Sequence, residues 1–243
     1  MAGSDDSRGG DPRRIDAENA RWSFGGEVPA RFEAHIEASV PGYREGHDLV
    51  AAISDFFVRD GSLVYDLGCS TGAAARAVAQ AAGDKRVRVI GVEREPAMVE
   101  AARAACAGHP GMEIVEGDVA ELELEPCDLV VAYYTLQFVR PAVRQRVFDR
   151  VFEALEWGGA FVAFEKVRAP DARFQDLVSS LYVDHKLAAG FDEREIVGKA
   201  RSLKGVLEPF STRGNLELFA RAGFVDVMTV WKRLCFEGFL AIK

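Results

Sequence analysis

The sequence has few of the residues that build metal sites or disulfide scaffolds. Only four of its 243 residues are cysteines, and they form neither a CxxC pair nor a Cys/His ligand spacing. These cysteines are Cys69, Cys106, Cys127 and Cys235. Scattered cysteines predict reduced, mostly buried thiols, as is typical of cytoplasmic proteins. We therefore expect no metal in the functional site and a cytoplasmic location.

Long apolar runs and an excess of positive charge are also missing. No stretch approaches 18 uninterrupted apolar residues, and the N-terminus lacks the apolar segment of a signal peptide, so no membrane span is predicted. The net charge of −8 argues against a nucleic-acid-binding protein. Residues 1–14 contain almost nothing to bury and predict a disordered leader, followed by one domain over 15–243.

What the sequence does contain is an alternation of strand and helix patterns. Two amphipathic helices, near 31–39 and 48–59, come first, and 224–243 predicts an antiparallel strand pair. The apolar runs between them that predict strands lie at 63–68, 87–93, 112–117, 128–134 and 160–165. Helical patterns separate most of these runs, as in βαβ units. We therefore predict an α/β fold with a doubly wound, seven-stranded, mostly parallel Rossmann-like sheet.

The segment 168–208 interrupts this alternation with two helical stretches, at about 171–189 and 192–206. It follows the fifth strand, at the edge of the sheet where doubly wound folds bind ligands. This position predicts a helical lid, although a plain packing insertion would give the same pattern.

A glycine-containing turn follows the first predicted strand. In "DLGCSTG" (66–72), Gly68 and Gly72 permit a tight turn and a close approach of ligand to backbone. The spacing is not the full G-x-G-x-x-G, and no Lys follows as in a P-loop, so a carboxylate or ribose fits better than a phosphate. Ser70 adds a hydroxyl to this turn.

Two acids end the next two strands. Glu93 lies where a carboxylate can accept the hydroxyls of a ribose, and Asp118 lies where one can accept an adenine amine. Either acid alone could be an ordinary surface carboxylate. Together with the glycine turn they predict an adenosine-bearing ligand.

This set resembles the class I S-adenosylmethionine-dependent methyltransferase fold, with "YDLGCSTG" as its first motif. "RWSF", "SVPGY", "YTLQF", "FEK", "SLKGVLEP" and "GFLAIK" are, more narrowly, similar to the carboxy-S-adenosyl-L-methionine synthase family from about residue 21 to 243. The resemblance implies S-adenosyl-L-methionine as cofactor and a homodimer with the lid near the partner chain. The implied cofactor contacts are Tyr43, Gly68, Cys69, Ser70, Glu93, Arg94, Asp118 and Val119, to which we add Asp66, Gly72 and Tyr133.

The chain departs from the family at two positions. The family pattern has Asn where this chain has Tyr133, and Arg where it has Ala200, directly after Lys199. A carboxylate on the cofactor needs a charge-assisted donor, preferably a guanidinium, so Arg94 or Arg201 would have to replace the missing one. We therefore predict methyl transfer to a small molecule. Three alternatives stay open: synthesis of the carboxylated cofactor, an intramolecular attack releasing methylthioadenosine, and a non-enzymatic binding protein.

The candidate catalytic residues are Tyr133, Tyr182 and His185. An aromatic face at position 133 can stabilise a sulfonium cation, and His185 in the lid could act as a general base, although a solvated helix face explains Tyr182 and His185 equally well. Strand alternation places Tyr134 on the opposite face from Tyr133, as core packing, unless the strand has already turned at that position. Glu165 either faces the same cleft or forms a buried pair with Lys166 or Arg168.

Overall fold

The fold was examined in a computed structural model that describes residues 28–243. The predicted leader at 1–14 and the start of the predicted domain lie outside the described residues. The strands are β1 (Leu63–Leu67), β2 (Arg88–Glu93), β3 (Met112–Glu116), β4 (Cys127–Tyr133), β5 (Leu155–Lys166), β6 (Asp226–Arg233) and β7 (Phe236–Ile242). The helices are α1 (Val28–Ser39), α2 (Tyr43–Phe57), α3 (Ala73–Ala81), α4 (Pro96–Cys106), α5 (Pro141–Ala154), α6 (Ala172–Ala188), α7 (Glu193–Ser202) and α8 (Thr212–Ala222).

The seven strands form one sheet in the order β3-β2-β1-β4-β5-β7-β6. The five strands from β3 to β5 are parallel, β7 runs antiparallel to β5, and β6 runs antiparallel to β7. This confirms the predicted doubly wound α/β sheet and its added antiparallel pair. The C-terminal ends of β1 to β4 therefore meet at one edge of the sheet, where such folds bind ligands.

The core consists of two apolar layers, one on each face of the sheet. Because side chains alternate along a strand, Val64 belongs to the layer under α2 and α3, whereas Tyr65 belongs to the layer under α5 and α8. Phe148 of α5 and Phe219 of α8 stack edge to face in the second layer, with ring centroids 4.9 Å apart. Burial on both faces explains why the central strands read as nearly continuous apolar runs.

Helix α8 is absent from the sequence prediction. Its N-cap, Ser211, accepts a hydrogen bond from the backbone N–H of Gly214 at 3.1 Å, and Gly223 ends it with a φ of 116°. Ser before a helix and Gly after it are common end signals, so the sequence does carry a signal for α8. Strand β5 also begins at Leu155, five residues earlier than predicted.

The predicted lid segment contains α6 and α7, close to the predicted bounds. Asp171 caps α6 by accepting hydrogen bonds from the backbone N–H groups of Arg173 and Phe174. No residue of α6 is buried in the described chain, and Phe174 and Leu177 are more than half exposed. Its role as a lid stays a prediction. Within residues 28–243, no helix combines the length and apolar character needed to cross a membrane.

Candidate functional site

A cavity of about 390 Å³ lies at the C-terminal ends of β1 to β4. Its lining includes every predicted cofactor contact except Gly72. The predicted residues that line it are Tyr43, Asp66, Gly68, Cys69, Ser70, Glu93, Arg94, Asp118, Val119 and Tyr133. The glycine turn, the two acids and the end of β4 are thus brought together around one space.

The turn after β1 is fixed by hydrogen bonds to the neighbouring strand. The backbone N–H groups of Gly68 and Cys69 both donate to the carbonyl of Val92, at 2.7 and 3.0 Å. Gly68 has a φ of 73°, and a Cβ added there would lie 2.3 Å from Cγ2 of Thr135. Glycine is therefore required at position 68 by both conformation and space.

Gly72 has a packing role, since it begins α3 and faces α4. It is the N-cap of α3 with a φ of 78°, and an added Cβ would lie 2.8 Å from Sγ of Cys106. The structure therefore does not support the predicted contact between Gly72 and the cofactor.

Glu93 ends β2 with its carboxylate held by three backbone donors. Oε1 accepts from the N–H groups of Arg94 and Glu95, and Oε2 accepts from the N–H of Ser70 at 2.9 Å. An ionised carboxylate accepts about four hydrogen bonds, so Oε2 keeps capacity for one more donor. The side chain is thereby oriented before any ligand arrives.

Asp66 is a buried carboxyl with an oxygen that lacks a partner. Its side chain is 1% exposed, and Oδ2 accepts from the backbone N–H of Ala75 at 3.0 Å. Oδ1 has no hydrogen-bond partner in the described chain. Burial raises the pKa of Asp66 to about 7, and the charge of Glu93 adds to this effect. A donor in the cavity would satisfy Oδ1 and favour the ionised form.

Asp118 and Arg94 lie at the more open side of the cavity. Asp118 is exposed, and its Oδ1 accepts from the backbone N–H of Ala120 at 2.8 Å. Arg94 Nε lies 3.9 Å from Oε1 of Glu95, with about half of the side chain exposed. Asp118 therefore keeps Oδ2 available for a ligand, whereas the guanidinium of Arg94 lies near the carboxylate of Glu95.

Three phenols, Tyr43, Tyr133 and Tyr134, form a tyrosine wall where β4 ends. The rings of Tyr133 and Tyr43 are 5.2 Å apart, and those of Tyr133 and Tyr134 are 4.8 Å apart. The hydroxyl of Tyr133 donates to the backbone carbonyl of Tyr43 at 2.6 Å, and burial raises the pKa of Tyr133 well above its usual value. The Tyr133 hydroxyl therefore holds α2 against β4, and what faces the cavity is an aromatic wall.

The expectation that Tyr134 points away from Tyr133 is wrong. Tyr134 has a φ of 58°, and its backbone N–H donates to the carbonyl of Phe164 at 2.8 Å. Regular alternation thus stops at Tyr133, and both rings belong to the same apolar layer and line the cavity.

His47 lines the cavity and is missing from the predicted site. It lies one helical turn after Tyr43, with its ring 4.7 Å from the Tyr43 ring and 4.3 Å from the Tyr133 ring. Burial lowers the pKa of His47 to about 4, so the imidazole is neutral near pH 7. The spacing of four residues from Tyr43 on an amphipathic helix is the signal that could have indicated it.

Tyr182 and His185 do not line this cavity. The ring of Tyr182 packs against Phe236 at 5.3 Å, while the Ala38 backbone at the end of α1 accepts a hydrogen bond from His185. The structure therefore does not bring these two residues together with Tyr133, and their catalytic role stays a prediction.

Glu165 also lies outside the cavity lining. Its Oε1 accepts from the backbone N–H of Leu136 at 3.1 Å, and burial raises its pKa to about 8 despite the opposing charge of Arg144. In the described chain it forms no pair with Lys166 or Arg168, so neither expectation for Glu165 is met. It anchors the turn that follows the tyrosine wall.

Comparisons with known proteins identify the family. A methyltransferase domain family matches residues 64–159. The carboxy-S-adenosyl-L-methionine synthase of Salmonella paratyphi C (strain RKS4594) is 33% identical over 225 residues, which cover 91% of each chain. This chain belongs to the carboxy-S-adenosyl-L-methionine synthase family. It is accordingly an S-adenosylmethionine-dependent transferase, as the resemblance implied.

Solved structures show that this synthase-family chain has the class I methyltransferase fold. A putative O-methyltransferase from Nostoc punctiforme PCC 73102 is 16% identical with a TM-score of 0.62, and 89% of this chain matches 61% of that one. Human N-acetylserotonin methyltransferase in complex with S-adenosylmethionine is 19% identical with a TM-score of 0.60, covering 90% of this chain and 57% of that one.

The cavity of this synthase-family chain fits S-adenosylmethionine. The cofactor carries an ammonium group, which can satisfy the buried Oδ1 of Asp66, and its sulfonium cation suits the faces of the tyrosine wall. The free capacity of Glu93 and Asp118 matches the hydroxyl and amine donors of adenosine. Within residues 28–243 no group of three or more His, Cys, Asp or Glu is placed to hold a metal ion.

Proposed function

We propose that this chain transfers the methyl group of S-adenosylmethionine to a small-molecule acceptor. The observation that carries the proposal is the tyrosine wall. At position 133, where the family pattern has Asn, an aromatic ring lines the cavity and its hydroxyl is engaged by the Tyr43 carbonyl. An aromatic surface favours a sulfonium cation, whereas a carboxylated cofactor needs a cationic or hydrogen-bonding partner for its extra carboxylate.

The positions of the arginines also favour S-adenosylmethionine over a carboxylated cofactor. Of the arginines that the structure describes, four line the cavity, and none of these lies on α2 or at the end of β4, where the tyrosine wall is. They are Arg94, Arg140, Arg146 and Arg150, which lie after β2 and before or within α5. Ala200 of α7 has no charge to add, and Arg201 does not line the cavity. Within residues 28–243, the wall therefore lacks the guanidinium that a carboxylated cofactor would need.

The proposal also assigns individual residues to parts of the cofactor. Asp66 would accept the ammonium group, Glu93 one of the ribose hydroxyls and Asp118 the adenine amine, while Gly68 lets the ligand approach the backbone. When bound, the cofactor supplies a methyl group that its positive sulfur already activates. The chain has mainly to align an acceptor and exclude water, which the buried tyrosine wall can do. A homodimer and a cytoplasmic location stay predictions.

Synthesis of the carboxylated cofactor is the second candidate, favoured by the 33% identity over 91% of the chain. Mass spectrometry after incubation with S-adenosylmethionine, alone or with prephenate or a pool of small phenols and carboxylic acids, separates the candidates. S-adenosylhomocysteine formed only with the pool supports methyl transfer. A carboxylated cofactor formed with prephenate would refute it in favour of synthesis, and methylthioadenosine formed without any acceptor would indicate the intramolecular reaction.

A double variant tests the two departures directly. Tyr133→Asn with Ala200→Arg restores the residues of the family pattern, so we expect it to form the carboxylated cofactor from prephenate. Tyr133→Phe is the matched control because it keeps the ring and removes only the hydroxyl. If the double variant behaves like the control, positions 133 and 200 do not determine which reaction occurs.

A further inference from the structure

Two lysines from different elements approach the same aromatic ring beside the tyrosine wall, and the pKa of a third lysine responds to the charge of one of them. Lys166 ends β5, Lys186 lies on α6 and Lys199 lies on α7, and we call them the lysine cluster. The Nζ atoms of Lys166 and Lys186 each lie 4.6 Å from the centroid of the Tyr182 ring. Because both distances end at one point, these two ammonium groups are separated by no more than twice that distance.

The charges in the cluster act on one another. Burial lowers the pKa of Lys186 to about 8, with the charge of Lys166 contributing, and burial lowers that of Lys199 to about 6, with the charge of Lys186 contributing. Burial also lowers the pKa of Lys166, and Arg168 adds to this effect. Among the residues that the structure describes, the Cys235 thiol is the only acidic group that acts in the opposite direction on the pKa values of Lys166 and Lys186.

The described chain provides no counter-charge for Lys166 or Lys186. Neither of them forms an ion pair within residues 28–243, and their contacts are with aromatic rings. The attraction of one ring for a cation is small beside the cost of removing an ammonium group from water. The two ammonium groups at this ring therefore lack most of the stabilisation that an anion would provide.

We propose that the lysine cluster is a binding site for a small dianion, a dicarboxylate or a phosphate monoester. Two ammonium groups that each lie 4.6 Å from the centroid of one ring are close enough for a dianion to span them, and all three lysines remain partly exposed, so the ligand can reach them. The site and the cofactor cavity are connected through the ring of Phe236. Phe236 contacts Tyr182 at 5.3 Å on one side and Tyr134, a cavity residue, at 5.6 Å on the other.

This position suggests what the anion belongs to. We assign a dianion held by Lys166 and Lys186 to the acceptor substrate, because ring contacts through Phe236 and Tyr134 connect the cluster to the cavity. Assigning the anion to the acceptor rests on the proposed methyl transfer, whereas the existence of the binding site does not.

Isothermal titration of the full chain at pH 8 with malonate or inorganic phosphate tests the site. In buffers of different ionisation enthalpy, we expect saturable binding accompanied by proton uptake, because an anion favours the charged form of Lys186. Binding of malonate alone indicates a dicarboxylate, and binding of phosphate alone indicates a phosphate monoester. Absence of saturable binding for both anions would overturn the proposal.

Variants at Lys186, compared with a control at Lys204, distinguish anion binding at this site from a general effect of the protein's charge on anion binding. Lys186→Gln should weaken binding about tenfold or more, since it removes a charge-assisted donor. Lys204→Gln makes the same substitution at an exposed lysine just after α7, removes at least as much charge at pH 8, and should leave binding unchanged. Lys186→Arg should bind the anion with less proton uptake, because a guanidinium stays protonated. Equal losses in Lys186→Gln and Lys204→Gln would contradict a defined site.

S-adenosylmethionine is titrated into the same variants as a check on the cofactor cavity. We expect unchanged cofactor affinity in Lys186→Gln, which would assign the lost anion binding to the lysine cluster. A failure of methyl transfer in the product assay leaves these binding results standing, and a failure of anion binding leaves the product assay standing.

Discussion

Gly46 and Tyr133 form a matched pair that connects α2 to the end of β4. A Cβ added at Gly46 would lie 2.1 Å from the hydroxyl oxygen of Tyr133, 3.1 Å from its Cζ and 3.2 Å from Cε1 of Phe164. We therefore predict that Gly46→Ala destabilises the protein, although replacing a mid-helix glycine by alanine normally stabilises it by about 1 kcal/mol. The same change in a Tyr133→Phe background should be close to neutral.

The expected magnitudes follow from these contacts. In the parent protein the hydroxyl has to move, which loses its 2.6 Å hydrogen bond to the Tyr43 carbonyl, worth about 1 kcal/mol, and strains the packing by about 1–3 kcal/mol. After subtraction of the helix gain, Gly46→Ala should cost about 1–3 kcal/mol. In the Tyr133→Phe background, the added Cβ keeps only the contacts with Cζ of residue 133 and Cε1 of Phe164, which are tight but do not overlap. The coupling free energy between Gly46→Ala and Tyr133→Phe should therefore be about 2 kcal/mol.

Urea unfolding of the parent, both single variants and the double variant measures this coupling. Gly198→Ala in α7 is the matched control, because it also lies within a helix and an added Cβ there has no heavy atom within 4 Å. Gly198→Ala should show only the stabilisation of about 1 kcal/mol that comes from replacing glycine by alanine in a helix. If the effects of Gly46→Ala and Tyr133→Phe add within about 0.5 kcal/mol, the described contact between them is wrong.

Three further predictions concern the cavity and its surroundings. Gly68→Ala should abolish S-adenosylmethionine binding measured by calorimetry, because its Cβ meets Thr135, whereas Gly83→Ala, with a similar φ and open space, should retain it. Affinity for S-adenosylmethionine should rise as pH increases through about 7, where Asp66 ionises, and Asp66→Asn should bind weakly without this dependence. Glu165 has its folded pKa raised to about 8, so its contribution to stability is complete below its unfolded pKa of about 4.5 and is lost as pH rises from there through 8. Glu165→Gln should flatten the dependence of the melting temperature on pH across that window, and an unchanged slope would refute the assignment.

Local sequence patterns were sufficient for most of the fold. Apolar runs and helical periodicity predict all seven strands and the helices α1 to α7, since burial on one face or both leaves a direct pattern. The position where β4 ends was harder to predict. Tyr133 and Tyr134 are both apolar enough to continue the strand, and only the left-handed backbone of Tyr134 places both rings on one side.

The gathering of Glu93 and Asp118 at one cavity was predictable for a geometric reason. Glu93 and Asp118 follow consecutive parallel strands, and such strands end at the same edge of the sheet, so sequence position implies proximity. Tyr182, His185 and His47 have no such relation to β4. Whether a residue of α6 or α2 reaches the cavity depends on how the helix packs. Of Tyr182, His185 and His47, the structure places only His47 at the cavity.

The pairing of Tyr133 with Gly46 also bears on how this chain diverged from other members of its family. A phenol fits at position 133 because position 46 has no side chain, so Tyr133→Asn with Ala200→Arg would leave a void beside Gly46 as well as a new polar group. Adding Gly46→Ala should fill part of that void, so the triple variant should melt at a higher temperature than the double variant, opposite in sign to the effect of Gly46→Ala in the parent. Thermal unfolding of the four proteins decides this. A triple variant that melts below the double variant would show that Tyr133 is not what restricts position 46.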